Sequence, residues 1–251
     1  MKVLIATSAT DFDPTEVAIP WKILSQAGID VLFATNTGKT GSADEHMLKG
    51  DYFGAARKLL IARQDAQDAY AEMLQDARFQ NPIGYADIDI DKFDGLILPG
   101  GHAKGVIPYL ESEILREHII EFFAADKPVG AICHGVIAAC RAIDRETGKS
   151  VLYGRKTTAL LKRQELIAYN LTKQLMNDYY LTYPTPVEDE VRAALKSPDD
   201  FLKGKTPFRR DTARKLKRGF ALRDGNYISA RWPGDIYNFS LGFLEMLNPD
   251  T

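Results

Sequence analysis

Short, uninterrupted apolar runs alternate with segments of helical periodicity along this chain, and this alternation restricts the fold more than any other feature. Runs without polar positions are typical of strands that are buried on both faces. The segment 15–27 after the first run places Val17, Trp21 and Leu24 on one helical face. Alternating strands and helices predict an α/β fold with a doubly wound, mostly parallel sheet covered by helices on both faces. The predicted strands are 3–6, 29–35, 94–98 and 128–132, and a further helix is expected at 110–125.

Two long stretches interrupt this alternation of strands and helices. Residues 36–91 exceed the length of a simple crossover and contain a polar helical segment at 52–77. Residues 166–218 contain another helical segment at 166–180. We expect a single domain over 1–251 in which both stretches are helical insertions that cap a site, and surface decoration without a role remains the alternative. Two strands at 219–223 and 227–231 and a last helix at 236–247 complete the predicted elements.

The charge balance excludes several classes of protein. Lys and Arg total 32 and Asp and Glu total 34, so the formal net charge is −2. Nucleic acids and anionic membranes both select a basic surface, so we expect neither as a partner. We expect the basic cluster Arg209–Lys217 to be a solvated surface rather than a phosphate site. No apolar run approaches the roughly 18 residues that span a bilayer, and the N-terminal residues predict a strand rather than a secretory signal.

Cys133 and Cys140 are the only cysteines. Seven helical steps separate their Cα atoms by roughly 10 Å, whereas a disulfide needs about 7 Å or less. We therefore expect no bridge between them, which together with the missing export signal indicates a reducing, cytoplasmic environment. Cys140 lies along an apolar helix and is expected to be a core residue.

Cys133 itself lies where a buried strand should turn directly into a helix, in the segment Ala131-Ile132-Cys133-His134-Gly135. Small residues two positions before and after the cysteine meet the steric requirement of a nucleophile elbow. The positive end of the following helix should lower the thiol pKa, and the His134 N–H should point toward a developing oxyanion. A buried, inert cysteine is the alternative interpretation.

Two further segments end at the same edge of the sheet. Gly100 and Gly101 follow the third strand, let the backbone approach a ligand and present an N–H as a second oxyanion donor. His102 either lines the same crevice or caps the loop. Glu16, in the first turn of the first helix, is either the acid–base partner of the thiol or an acid that stabilises the helix dipole.

These segments together resemble the ThiJ/PfpI superfamily, which has the flavodoxin-like fold of class I glutamine amidotransferases. The resemblance rests on Glu16, on the Pro-Gly-Gly-His loop that ends at His102, on the elbow around Cys133, and on the segment from Ser229 to Asp235. Because of the two insertions, the chain is similar to the larger branch of glyoxalase III enzymes, heat-shock chaperones and proposed deglycases. The resemblance implies that Cys133 is the nucleophile, that Glu16 is its acid–base partner, and that Gly101 and His134 donate to the oxyanion.

The resemblance also implies a place for an acid that orients His134. We assign Glu165 to that place, just beyond a predicted strand at 152–159, and a solvated helix acid is the alternative. No His-x-Glu pair follows late in the chain, which argues against glutamine hydrolysis. His46 and His118 offer no metal-ligand spacing, and nucleotide-binding motifs are absent, so we expect neither a metal nor a cofactor.

The function that follows is a cofactor-free conversion of methylglyoxal-type 2-oxoaldehydes to hydroxy acids, with a small-molecule carbonyl as substrate and a homodimer as the expected assembly. An amidase or peptidase would use the same cysteine and histidine, but would depend on Glu165 rather than Glu16. A thiol redox sensor or holdase chaperone is the non-enzymatic alternative. A purely structural binding module would leave the elbow unexplained.

Overall fold

A single seven-stranded sheet forms the centre of the molecule, and the computed structural model describes residues 1–206 and 209–248. The strands lie in the order β3-β2-β1-β4-β5-β7-β6. All neighbouring strands are parallel except the C-terminal hairpin of β6 and β7. The predicted doubly wound, mostly parallel fold is therefore confirmed. The strands are β1 (Lys2–Ala6), β2 (Asp30–Thr35), β3 (Ile83–Gly84), β4 (Gly95–Leu98), β5 (Val129–Ile132), β6 (Ala221–Asp224) and β7 (Tyr227–Ala230).

Helices cover both faces of this sheet. Alternate residues of β1 explain why, because Leu4 belongs to one apolar cluster and Val3 and Ile5 belong to the other. Side chains alternate between the faces of a strand, so a strand with only apolar residues needs a helical layer on each side. The α-helices are α1 (Pro14–Gln26), α2 (Glu45–Lys49), α3 (Arg57–Leu60), α4 (Gln64–Met73), α5 (Ala77–Gln80), α6 (Ile107–Leu110), α7 (Glu113–Ala124), α8 (Gly135–Cys140), α9 (Lys162–Met176), α10 (Val187–Ala194) and α11 (Ile236–Leu247).

The first and last long helices share one layer. α1 packs against α4 and α11, whereas α8 packs against α6, α7 and α10. Val17, Trp21 and Leu24 are all buried, as the helical periodicity of this segment predicts.

Cys140 is buried as well, and both cysteines are free thiols. Among the described residues, no helix has the length and apolar character needed to cross a bilayer.

Three expectations from the sequence need correction. The segment 52–77 is broken into several short helices, because Gly54 has φ +53° and residues 61–63 leave the helical conformation before α4. The segment 36–91 also contains β3, an edge strand of the sheet. The stretch 152–159 forms turns rather than a strand, and Thr157 makes only an isolated bridge to Phe201. Positions 207 and 208, inside the second long stretch, and positions 249–251 lie outside the described residues.

The carboxyl ends of β1, β4 and β5 meet at one edge of the sheet, where a doubly wound fold forms its crevice. The close approach of two of these segments depends on Gly135. A Cβ at this position would lie 2.0 Å from the carbonyl oxygen of Leu98, the last residue of β4. Only a residue without a side chain therefore lets α8 begin directly beside β4.

This contact predicts the effect of Gly135→Ala. The new methyl group must displace backbone, so we expect a loss of about 3 kcal/mol in the free energy of unfolding, the upper range for overpacking. Urea unfolding followed by circular dichroism would measure it. Gly28→Ala is the control, because nothing lies within 4 Å of its Cβ and only its φ of +77° is unfavourable, at about 1 kcal/mol. Equal losses in the two variants would contradict the steric argument.

Candidate active site

Cys133 occupies a strained turn between β5 and α8. Its φ is +56°, in the left-handed region that side chains other than glycine rarely adopt. The Cys133 N–H donates to the Ala230 carbonyl of β7 at 3.1 Å, and this bond holds the turn against the sheet. A non-glycine residue in this conformation costs about 1–2 kcal/mol and is tolerated where the surroundings enforce it. The geometry is that of the nucleophile elbow expected from the sequence.

Glu16 lies against this elbow and is fully buried. Its Oε2 accepts a hydrogen bond from the Gly100 N–H at 2.8 Å, which ties α1 to the loop after β4. Burial and the nearby Asp13 raise the pKa of Glu16 well above its usual value, and its interactions with Gly100 and the Cys133 thiol only partly oppose this. This shift favours the protonated form of Glu16, and its second oxygen, Oε1, has no hydrogen-bond partner among the described residues.

The thiol pKa differs from the sequence-based expectation. Burial, followed by the charges of Glu16 and Asp13, raises the pKa of Cys133 well above its usual value, although the His134 N–H bonds to the sulfur and opposes the shift. The helix N-terminus that should lower this pKa belongs to α8, which has only six residues. Its partial charge is too small to offset the loss of hydration around the thiolate. The expectation of a lowered thiol pKa is therefore wrong, and the resting Cys133 is neutral.

His134 lies on the other side of the thiol and is also fully buried. Its Nδ1 is 3.6 Å from Cys133 Sγ, and its Nε2 is 3.0 Å from Thr182 Oγ1. The Thr182 hydroxyl donates to the His102 carbonyl at 2.6 Å, so it accepts from Nε2–H. This network assigns the proton to Nε2 and leaves Nδ1 free to accept the thiol proton. Burial lowers the pKa of His134 to about 3, so the imidazole is neutral at rest.

Glu165 lies near Nε2 of His134 but makes no direct hydrogen bond to it. Its Oε1 lies 4.0 Å from His134 Nε2, while its Oε2 accepts from the Val187 N–H at 3.1 Å. Thr182 takes the hydrogen-bonding position that a triad acid would occupy. Burial raises the pKa of Glu165 to about 7, so this carboxyl is close to half ionised at neutral pH. The alternative of a solvated helix acid does not hold, because Glu165 is buried.

The loop after β4 supplies the remaining predicted residues. The Gly100 N–H is occupied by Glu16, so it is not free for a substrate. Gly101 faces the cavity, and a Cβ there would lie 2.6 Å from the Asp11 carbonyl. His102 also lines the cavity, with its ring stacked on Tyr180 at 4.2 Å between centroids. Burial lowers the pKa of His102 to about 3.

A cavity of about 330 Å³ opens above Cys133. Residues from both long stretches form part of its wall, including Met47 and Leu59 from the first and Ile167 and Leu171 from the second. The full lining consists of Asp13, Glu16, Met47, Leu59, Leu60, Gly101, His102, Cys133, Leu160, Gln164, Glu165, Ile167, Ala168, Leu171, Tyr180, Arg210, Trp232 and Pro233. In the part of the chain that the structure describes, no three His, Cys, Asp or Glu side chains are grouped to hold a metal ion.

Sequence reasoning missed three polar residues of this site. Asp13 is the N-cap of α1 and accepts from the Thr15 and Glu16 N–H groups, a role that an Asp before Pro14 signals. Thr182 carries no such signal. Arg210 was expected on a solvated surface, but it lines the cavity and donates to the Leu59 and Leu60 carbonyls.

Comparison with known proteins agrees with this architecture. A glutathione-independent glyoxalase of Schizosaccharomyces pombe is 28% identical over 155 residues, which cover 61% of this chain and 59% of that protein. The chain thus matches less than two thirds of that relative's length. The deglycase PfpI of Pyrococcus furiosus is 23% identical over 247 residues, which cover 98% of this chain and 99% of that protein.

Solved structures show the same fold at low sequence identity. Glyoxalase III of Candida albicans has a TM-score of 0.67 and 16% identity, and the match covers 98% of this chain and 97% of that chain. The family model described as ThiJ/PfpI family-like matches residues 7–193, which include Glu16, the loop after β4 and the elbow. The chain therefore belongs to the ThiJ/PfpI family.

Proposed function

We propose that this protein converts methylglyoxal-type 2-oxoaldehydes to 2-hydroxy acids by a cysteine-dependent reaction that needs no cofactor. One observation carries the proposal: the Cys133 thiol lies between the buried Glu16 carboxyl, whose raised pKa favours the protonated form, and Nδ1 of a neutral His134. A proton donor and a proton acceptor are thus both in place beside a nucleophile. The names of the glyoxalase and deglycase relatives support a reaction of this kind.

The first step forms a hemithioacetal. As the sulfur attacks the aldehyde carbon, the thiol proton moves to His134 Nδ1, and Glu16 gives its proton to the aldehyde oxygen. The raised pKa of Cys133 and the lowered pKa of His134 mean that this ion pair is not populated before the substrate arrives. Charge separates only as the carbon–sulfur bond forms, and the new Glu16 carboxylate then stabilises the imidazolium.

The following steps move protons between the same two groups. The Glu16 carboxylate removes the hydrogen from the former aldehyde carbon, while His134 protonates the neighbouring oxygen to give an enediol. Glu16 then returns its proton to the second carbon, and His134 accepts the hydroxyl proton, which leaves a thioester. Glu16 activates a water that attacks the thioester carbon, and His134 protonates the departing sulfur. The products are a 2-hydroxy acid and the resting enzyme, so atoms and charges balance.

We also propose that the stretches 36–91 and 166–218 act as a cap. Leu59 and Leu60 come from the first and Ile167, Ala168 and Leu171 from the second, and all of them line the cavity. A wall of aliphatic side chains limits the access of water to the enediol, which is a reactive intermediate.

Amide hydrolysis is the second candidate, and the position of Glu165 favours it. Cys133, His134 and Glu165 lie in the order of a nucleophile, a base and an orienting acid, although 4.0 Å separates Glu165 Oε1 from His134 Nε2. Burial of Cys133 and its raised pKa disfavour a redox sensor, because oxidation requires an accessible thiolate.

The central test is methylglyoxal consumption without glutathione. We expect Cys133→Ala to abolish turnover and Glu16→Gln to lower kcat by about 100-fold to 10,000-fold, because the proton shuttle is lost. Cys140→Ala is the matched control, since that buried thiol lies outside the cavity and should leave turnover unchanged. Absence of turnover in the unmodified protein would refute the proposal.

A second substitution separates the two candidate reactions. Glu165→Gln retains the acceptor for the Val187 N–H, so we expect aldehyde turnover to stay within about tenfold of the unmodified protein. An amidase that uses Glu165 to orient His134 would instead lose about 10,000-fold in kcat, as a misoriented triad does. Rates of methylglyoxal loss and of amide cleavage, measured on the same two proteins, distinguish the outcomes.

The pKa of Cys133 predicts how alkylation should depend on pH. Because the folded thiol has a raised pKa, its reaction with iodoacetamide should keep accelerating above pH 9 rather than level off near neutrality. Glu16→Gln removes an acidic group whose negative charge at high pH disfavours the thiolate, so the profile should shift to lower pH. Mass spectrometry of the Cys133 peptide gives the rates. A plateau below pH 7 in the unmodified protein would contradict the structure.

A further inference from the structure

The cavity above Cys133 is larger than a small 2-oxoaldehyde requires. If each non-hydrogen atom takes about the 30 Å³ of a liquid water molecule, methylglyoxal fills roughly 150 Å³. The cavity measures about 330 Å³, so about half of it would remain empty with methylglyoxal bound. An empty or water-filled half gives no binding energy to the reaction.

The reacting residues and three aliphatic residues of the lining differ in depth. Glu16 and Cys133 are 0% and 5% exposed, so the reacting groups lie at the floor. Leu59, Ile167 and Leu171 are 50%, 45% and 54% exposed, so they form the mouth. We call these three side chains the aliphatic mouth. They come from α3 on one side and α9 on the other, and each leaves much of its apolar surface in contact with water.

This exposed surface is continuous with the site of reaction, because the same cavity joins the aliphatic mouth to Cys133. A hydrated polyol or a phosphate would lose hydrogen bonds to water against these side chains and gain none in return. An aliphatic chain attached to the reacting carbonyl would instead remove apolar surface from water on both sides. The chemistry of the mouth therefore selects an apolar substituent.

We propose that the site takes 2-oxoaldehydes that carry an unbranched aliphatic substituent of about six carbons, which lies between Leu59, Ile167 and Leu171 while the aldehyde carbon meets Cys133. This substrate class rests on the proposed function. Burying one methylene contributes about 0.8 kcal/mol, which corresponds to about fourfold in kcat/KM. Over five added methylenes we expect a gain of at least 100-fold from methylglyoxal to 2-oxooctanal.

The experiment compares methylglyoxal, 2-oxohexanal and 2-oxooctanal with the unmodified protein and two variants. Leu171→Asp places a charge in the aliphatic mouth, so the ratio of kcat/KM for 2-oxooctanal to that for methylglyoxal should fall at least 30-fold. Leu175→Asp is the matched control, because Leu175 lies one turn further along α9 and is 60% exposed, but does not line this cavity. That variant should keep the ratio of the unmodified protein.

The outcomes distinguish the inferred preference for aliphatic 2-oxoaldehydes from the proposed function on which it rests. If methylglyoxal is consumed and kcat/KM does not rise with chain length, the inference is overturned and the proposed function stands. If Leu171→Asp changes the oligomeric state in size-exclusion chromatography but not the chain-length ratio, a second copy covers the mouth and the inference is overturned as well.

If no aldehyde is consumed, the proposed function fails and binding decides the inference. The readout is the concentration of 2-hydroxyoctanoate or lactate that protects Cys133 from iodoacetamide. Protection by 2-hydroxyoctanoate at a concentration at least 30-fold lower supports an aliphatic subsite. Equal concentrations overturn it.

Discussion

The contact between the start of α8 and the end of β4 is the constraint on which the rest of the site depends. Gly135 packs where any Cβ would meet the Leu98 carbonyl at 2.0 Å, and Cys133 takes a left-handed φ so that the helix can begin there. The carboxyl ends of β4 and β5 are thereby held side by side. The thiol, the Gly100 N–H and the His134 N–H all converge because these two turns cannot move apart without losing that packing.

Dehydration determines the chemistry at this junction more than any single charge does. Burial is the first cause of the raised pKa values of Cys133 and Glu16 and of the lowered pKa of His134. These shifts favour the neutral forms of all three groups over a thiolate–imidazolium pair. In the proposed reaction a carbonyl provides the acceptor for the proton of Glu16, so a site of this kind favours addition to aldehydes over general thiol reactivity.

The sequence predicted the layered fold for a physical reason. Strands without polar residues cannot expose either face to water, so β1, β4 and β5 had to lie inside a doubly wound sheet. Elbow geometry was equally predictable, because small residues at 131 and 135 flank the cysteine at the spacing that such a turn requires. The broken helices of 52–77 and the turns at 152–159 were not predictable, since tertiary contacts override weak local propensity in polar segments.

The residues of the candidate site likewise divide into those that the sequence predicted and those that depend on tertiary contacts. Glu16, Cys133 and His134 could be recognised because each occupies a position defined by its own strand–turn–helix unit. Two other residues depend on how segments distant in sequence pack together. Thr182 lies between His134 and the His102 carbonyl, and Arg210 lies on the cavity wall. The sequence by itself therefore determined the fold and identified Cys133, Glu16 and His134 as candidate site residues. Only the tertiary structure decided the protonation states and the shape of the cavity, because dehydration and long-range packing exist only once the chain has folded.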